Sequence, residues 1–266
     1  MKHMKKVIFL NCLFLFIFCI IIEEGNAGDY SSKNDKVKEI AGFLNVDSNR
    51  LSTECPQDSY GIEGIGSDKR LFFCLSSRDA KKRCEIAISS LDLPPARYQI
   101  QFEVKQDDPY ITNFWHSIMQ IHSFPDFGEK WRCPPLSIEI NKKSFRAYSR
   151  WDKSRISKTL GNNCTEIGSS ITSKELINNV AVKSLKWNRL SLDMFATHAD
   201  NGGVKLNINE SSSELKNRGN LYNDKAPPYL KLGVYKPAGW TKSEIRENRK
   251  VCVSYRNFML KTSKAE

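Results

Sequence analysis

The feature that most constrains this chain is its repeated use of short segments in which apolar and polar residues alternate, separated by clusters of Gly, Pro, Asn and Asp. Successive side chains of a strand point to opposite faces, so such a segment buries one face and wets the other. Ten candidate strands follow: Arg70–Leu75, Arg83–Ser89, Tyr98–Lys105, Ser117–His122, Leu136–Ile140, Ser144–Arg150, Arg189–Phe195, Gly203–Asn209, Tyr229–Tyr235 and Val251–Leu260. Pro94-Pro95, Pro134-Pro135 and Pro227-Pro228 each precede one of them, as expected of a residue with no ladder donor. Asp200-Asn201-Gly202-Gly203 is a turn signal and predicts a hairpin. Helix is expected only over Lys36–Leu44, Ser173–Asn178 and Lys242–Asn248, and Arg155–Val180 reads as a polar, loop-like stretch. The pattern predicts an all-β fold, an antiparallel β-sandwich. With 266 residues, 40% of them apolar, the chain can form one such domain with a sizeable core.

The N-terminus sets the expected compartment. Lys2, Lys5 and Lys6 precede an apolar run from Val7 to Ile22, and Gly25-Asn26-Ala27 offers a cut ahead of Gly28. This is the layout of a secretory signal peptide, and the run is short for a membrane anchor. The expected organisation is a signal peptide over 1–27, a polar N-terminal segment over 28–48 and a β-domain over 49–262. The mature protein is expected to be extracellular or periplasmic, monomeric and free of membrane contact.

Cys12 and Cys19 leave with the leader, and Cys55, Cys74, Cys84, Cys133, Cys164 and Cys252 remain. An even set in an exported chain predicts disulfides, here with 15 connectivities open. Cys133 and Cys164 are candidates to staple the polar stretch between them. No Cys pair has metal-ligand spacing and the four His are scattered, so no metal site is expected. Asn163-Cys164-Thr165 and Asn209-Glu210-Ser211 are acceptor sequences for N-glycosylation.

Formal charge is +11, and removal of the leader's three Lys and two Glu lowers it by one. A basic exported protein meets polyanions. No arginine-rich helix or RNA-binding aromatic motif is present, so nucleic acid ranks last among them.

Alternation assigns side chains to faces. In Tyr229–Tyr235, Leu230, Leu232 and Val234 form an apolar face, opposite Tyr229, Lys231, Gly233 and Tyr235. Gln120 and His122 share a face, as do Arg83 and Glu85. Gln99, Gln101, Glu103 and Lys105 oppose Ile100, Phe102 and Val104. Singly, each polar residue reads as a solvated face, and Lys231 as a guard on an edge strand. Together they predict a cationic, hydrogen-bonding groove for a carboxylated sugar chain, with Arg83, Glu85, Gln101, Tyr229 and Lys231 as binding residues.

These segments resemble the jelly-roll, concanavalin-like polysaccharide lyases, the group of alginate lyases, glucuronan lyases and heparin lyase I-like proteins. Gln120-Ile121-His122 is similar to their Gln-Ile/Val-His motif. Tyr229-Leu230-Lys231-Leu232-Gly233-Val234-Tyr235 is similar to their Tyr-Phe-Lys-x-Gly-x-Tyr motif. Arg83-Cys84-Glu85-Ile86 resembles the start of Arg-Ser/Thr-Glu-Leu-Arg, with Ala87 where the motif ends in Arg. The resemblance implies a single jelly-roll domain that cleaves a uronate-containing acidic polysaccharide by β-elimination. It implies Gln120 as the carboxylate's hydrogen-bond donor, His122 as a base with a pKa near neutrality, and Tyr235 as acid, or as acid and base together. It requires no cofactor, although some heparin lyase-like members use calcium. Ala87 keeps a second reading open, a non-catalytic, lectin-like carbohydrate-binding protein on the same fold. A glycoside hydrolase needs two carboxylates flanking the bond, and the chain has no Glu-x-Asp-x-Glu strand.

Overall fold

The computed structural model describes residues 27–79, 81–108, 114–159 and 168–265. The expected leader with Cys12 and Cys19, together with Asn163 and Cys164, lies outside these residues. Helix α1 spans Ala27–Leu44. The strands are β1 (Leu51–Thr53), β2 (Tyr60–Glu63), β3 (Arg70–Ser76), β4 (Arg83–Ile88), β5 (Ala96–Gln106), β6 (His116–His122), β7 (Leu136–Asn141) and β8 (Ser144–Trp151). They continue with β9 (Thr172–Ala181), β10 (Asn188–Ala196), β11 (Gly203–Ile208), β12 (Ser211–Lys216), β13 (Tyr229–Tyr235) and β14 (Lys250–Lys264), with helix α2 (Lys242–Arg246) before the last.

The strands form two seven-stranded sheets, in the orders β1-β4-β13-β6-β7-β8-β9 and β12-β11-β10-β5-β14-β3-β2, and every ladder is antiparallel. One apolar core lies between them, with Ile86, Ile121, Ile138, Leu230 and Leu232 from the first sheet and Phe73, Ile100, Leu190 and Val253 from the second. This is the predicted jelly-roll sandwich. All ten expected strands are present, and β10 and β11 form the expected hairpin. The strict alternation of burial along β3, β5 and β10 is the pattern read from sequence.

Two expectations about helices are corrected. Ser173–Asn178 lies in strand β9, not in a helix. Register shifts beside Ala147 break the β8–β9 pairing, so the neighbours Leu176 and Ile177 are both buried and the two-residue period fails there. Helix α1 begins nine residues before the expected Lys36 and turns Ile40, Ala41 and Leu44 into the protein.

The sheets are joined through the core by Tyr255 of β14. Its hydroxyl donates to the Ile118 carbonyl at 2.7 Å and accepts from the Gly233 amide at 3.3 Å. Both partners lie where pairing is interrupted, between Leu232 and Tyr235 of β13 and between Ser117 and Met119 of β6. The hydroxyl thus satisfies backbone groups that the bulges free. Gly233 has φ +139°, and a Cβ there would lie 2.2 Å from the Cys84 carbonyl oxygen, so glycine serves the backbone at this point.

Disulfides join Cys55 to Cys84 and Cys74 to Cys252. Cys133 is disulfide-bonded as well.

Candidate functional site

The outer face of the first sheet carries an open groove of about 990 Å3. Strand register places its side chains in rows that cross the strands. One row runs Ala87, Lys231, Gln120, Ser137, Tyr148. A second runs Arg83, Tyr235, Ser117, Glu139, Arg146. Tyr229 pairs with His122 beside the first row. Arg83, Gln120, His122, Tyr229, Lys231 and Tyr235 therefore all line one groove, as the alternation of three separate segments predicted. β13 lies inside its sheet, between β4 and β6, so Lys231 is no edge guard.

Two expected binding residues are placed elsewhere. Gln101 sits on the exposed face of β5, in the second sheet, beside Glu103, Arg189 and Asn257. Alternation fixes which face of a strand is wet, not which sheet the strand joins, and this face is on the far side of the sandwich. Glu85 is only 2% exposed and lies beneath the groove as a buried counter-ion. Its Oε1 accepts from Gln120 Nε2 at 2.7 Å, and its Oε2 lies 3.7 Å from Lys231 Nζ and 3.8 Å from Arg83 Nη1. Burial pushes its pKa up to about 7 despite those two cations.

A further carboxylate, Glu54, completes the cluster from the segment after β1. Its two oxygens accept from Lys231 Nζ at 3.0 Å and Arg83 Nη1 at 2.9 Å. Partial burial works to raise its pKa, but these hydrogen bonds hold it below the ordinary range. Its neighbour Cys55 is tied to Cys84 of β4, which fixes the carboxylate over the cations. Glu54 escaped the sequence reading because it stands in an irregular segment without period.

His122 packs its ring against Tyr229, with centroids 5.4 Å apart, and edge-on to Trp131 at 5.8 Å. Its Nδ1 lies 3.0 Å from both the Ser123 carbonyl oxygen and the Ser123 amide nitrogen, so it donates to the first in one tautomer and accepts from the second in the other. Only the tautomer with the proton on Nδ1 leaves the lone pair on Nε2. The expectation of a near-neutral pKa is corrected. Burial holds it down to about 4, with Lys231, Arg83 and Arg132 adding repulsion, so the imidazole is neutral at physiological pH. Tyr235 lies under the Arg83 guanidinium, 4.2 Å from Cζ to the ring centroid.

The wall beyond β6 was not singled out from sequence. β8 contributes Arg146, Tyr148 and Arg150, and the β6–β7 segment contributes Trp131 and Arg132. The same alternation rule places Arg146, Tyr148 and Arg150 on one face, so the signal was present in the sequence. Trp131 and Phe124 are 60% and 46% exposed, and with Tyr229 they form an aromatic rim.

Asp126, Glu129 and Asp224 are close enough to share a cation. Arg132 already bridges Glu129 at 2.8 Å and Asp224 at 2.6 Å, and Arg155 pairs with Asp126 at 2.6 Å. Two guanidiniums thus pair with the three carboxylates in an ion-pair network.

A sequence model of the family described as Polysaccharide lyase matches residues 77–250. No curated protein matches the chain. Among solved structures, the chain is similar to an endo-β-1,4-glucuronan lyase from the fungus Trichoderma reesei, with a TM-score of 0.55, 12% identity, and coverage of 82% of this chain and 88% of that one. It is similar to alginate lyase A1-II′ of polysaccharide lyase family-7, with a TM-score of 0.53, 10% identity, and coverage of 79% and 86%. Alginate lyase AlyC3 gives a TM-score of 0.51 at 17% identity, covering 77% and 78%. These likenesses establish the shared sandwich.

Proposed function

The chain belongs to the polysaccharide lyase family, and from that premise we propose that it is an exported enzyme that cleaves a uronate-containing acidic polysaccharide by β-elimination in the groove of the first sheet. The observation that carries this reading is the convergence of Arg83, Gln120, His122, Lys231 and Tyr235 in one open groove. Export is supported by the leader-like N-terminus and by the disulfides, which persist in oxidising compartments. An alginate lyase of the same fold was crystallised with its substrate as a double variant, histidine to asparagine and tyrosine to phenylalanine. His122 and Tyr235 are groove residues of those two types.

β-Elimination removes the proton beside the uronate carboxylate, breaks the bond to the leaving glycosidic oxygen and leaves a carbon–carbon double bond. The proton is weakly acidic until the carboxylate charge is masked. Lys231 and Arg83 supply two cations, and the substrate carboxylate takes the place that Glu54 holds between them. Gln120 stands next to Lys231 in the row and adds a neutral hydrogen-bonding group. The neutral His122, in the tautomer protonated on Nδ1, takes the proton on Nε2; burial is the main cause of its low pKa, and the approaching carboxylate offsets the added repulsion of Lys231, Arg83 and Arg132. Tyr235, across the strand from Ser117, gives its proton to the leaving oxygen, and serves as base as well on the sugar epimer whose proton faces it. Hydrolysis by a carboxylate pair has no support here. Glu54 is committed to Lys231 and Arg83, Glu85 to Gln120, and Glu139 to Ser137.

Product mass is the test. Elimination fragments are lighter by one water than hydrolysis fragments of the same polymer. The proposal predicts the lighter series from a uronate polymer, and its loss in Tyr235→Phe and His122→Ala with the fold intact. Fragments carrying the added water would refute elimination, and binding without fragments would identify the lectin-like relative.

A further inference from the structure

The groove holds cations in two separate places, and they are compensated differently. Lys231 and Arg83 face Glu54 and Glu85. Arg150, on β8, is 9% exposed, and its Nη1 donates to the Pro134 carbonyl at 3.1 Å and to Ser137 Oγ at 3.2 Å. Its Nε has no hydrogen-bond partner, and it forms no ion pair among the described residues. Tyr222 and then Glu139 are the acidic groups that act on it electrostatically, and burial favours the neutral form of both. Arg146, more exposed, has no hydrogen bond to its Nε but pairs through that atom with Glu175 at 3.7 Å, so Arg150 is the one of the two without an ion pair. Both guanidiniums flank the Tyr148 ring, at 4.9 Å and 5.2 Å from its centroid, and all three residues line the groove.

Burying a guanidinium without a carboxylate works against folding, and such groups collect where an anion is to be bound. The register fixes how far this place is from the first. Lys231, Gln120, Ser137 and Tyr148 are successive partners on adjacent strands, so three strand spacings, about 14 Å, separate the ends of the row. A sugar chain lying across the strands passes over both. At the opposite end of the same row stands Ala87, which brings no charge.

We propose that Arg150, with Arg146 and Tyr148, forms a second anion subsite that takes another acidic substituent of the same glycan chain, a carboxylate or a sulfate ester. The inference rests on the acidic-polysaccharide reading and adds the groove's extent and direction: the substrate runs from β13 toward β8, with charged groups bound several sugar units apart.

The experiment measures binding and so does not depend on turnover. Size-defined uronate oligosaccharides, unsulfated and sulfated, are titrated calorimetrically into the mature protein carrying Tyr235→Phe, which prevents cleavage. Affinity is expected to rise with length once the oligosaccharide reaches β8. Arg150→Met is expected to remove roughly tenfold of that gain, the worth of a charge-assisted contact, and to leave the shortest oligosaccharides unaffected. Arg146→Gln, at a more exposed position, is expected to remove a smaller part of the gain, and it decides the question if the Arg150 variant does not fold. A sulfate ligand is indicated if only sulfated oligosaccharides show the effect, and a carboxylate if the unsulfated ones do. Length dependence unchanged in both variants overturns the subsite while leaving the lyase reading in place. Length-dependent binding through Arg150 without fragments from the unmutated protein leaves the subsite standing and overturns the lyase reading. Failure of every acidic oligosaccharide to bind overturns both.

Discussion

Replacing Tyr255 by Phe isolates the contact that ties the core to the sheet bearing the groove. The ring stays, with its edge contact to Phe73 at 5.7 Å and its contact to Phe102 at 5.6 Å, so little packing is lost. What disappears is a donor to the Ile118 carbonyl at 2.7 Å and an acceptor for the Gly233 amide at 3.3 Å, both at a fully buried site. A buried backbone group left unpaired costs roughly 1–3 kcal/mol. Two such groups, one of them in a long bond, give about 3 kcal/mol. With a urea m-value near the upper end of the range for small proteins, about 3 kcal/mol/M, the midpoint falls by about 1 M with no change in slope. The bulges that this hydroxyl supports lie next to Tyr235 and Gln120. The variant should therefore also lose kcat more than it raises KM. The assay is urea unfolding followed by tryptophan fluorescence, alongside steady-state kinetics. A midpoint shift below about 0.3 M would show that the bulges hold without the hydroxyl and would refute the reasoning.

Three further outcomes follow from the same geometry. Glu54→Gln frees Lys231 and Arg83 for the substrate carboxylate and should lower KM for the acidic polymer about threefold, the worth of a part-exposed ion pair, with kcat nearly constant; a raised KM would contradict the stand-in role. His116 and His122 are both held down to about 4 by burial, so the unfolded chain takes up their protons near pH 6.5 and the folded chain only near pH 4. Their combined contribution, roughly 3 kcal/mol each, is present above pH 6.5 and lost as pH falls toward 4, partly offset by Glu85, whose raised pKa acts in the opposite sense between 4.5 and about 7; unfolding free energies measured across this window should fall toward acid, and less so in His116→Phe. The Cys74–Cys252 bond closes a loop of 178 residues and Cys55–Cys84 one of 29, so loop entropy predicts losses of about 5 and about 3.6 kcal/mol on Cys-to-Ser replacement of each pair; equal losses by chemical denaturation would count against that account.

Much of the site could be read from the sequence because the groove-lining segments alternate apolar and polar residues. Tyr229–Tyr235 alternates apolar and polar residues in sequence, and its polar set supplies three of the six expected residues that line the groove, Tyr229, Lys231 and Tyr235. Gln101 obeys the same rule and was still misplaced, because the period is silent about which sheet a strand enters. Ser173–Asn178, expected as helix, lacks a two-residue period because Leu176 and Ile177 are adjacent apolar residues, and bulges in β9 bury both. Glu54 had no period to reveal it, and its position over Lys231 rests on contacts with β4 that are distant in sequence: the β1–β4 pairing, the bond from its amide to the Glu85 carbonyl and the Cys55–Cys84 disulfide. The pKa of His122 departs from the expectation for a related reason: two of the three nearby cations, Lys231 and Arg83, come from segments distant in sequence.

The central claim, that the groove eliminates rather than merely binds, is tested most directly by incubating the mature protein with glucuronan, alginate, heparin and related uronate polymers while following ultraviolet absorbance. The account predicts a steady rise from the conjugated double bond on at least one polymer, absent in Tyr235→Phe. A flat trace on every uronate polymer, from protein shown to be folded and to bind one of them, would contradict it.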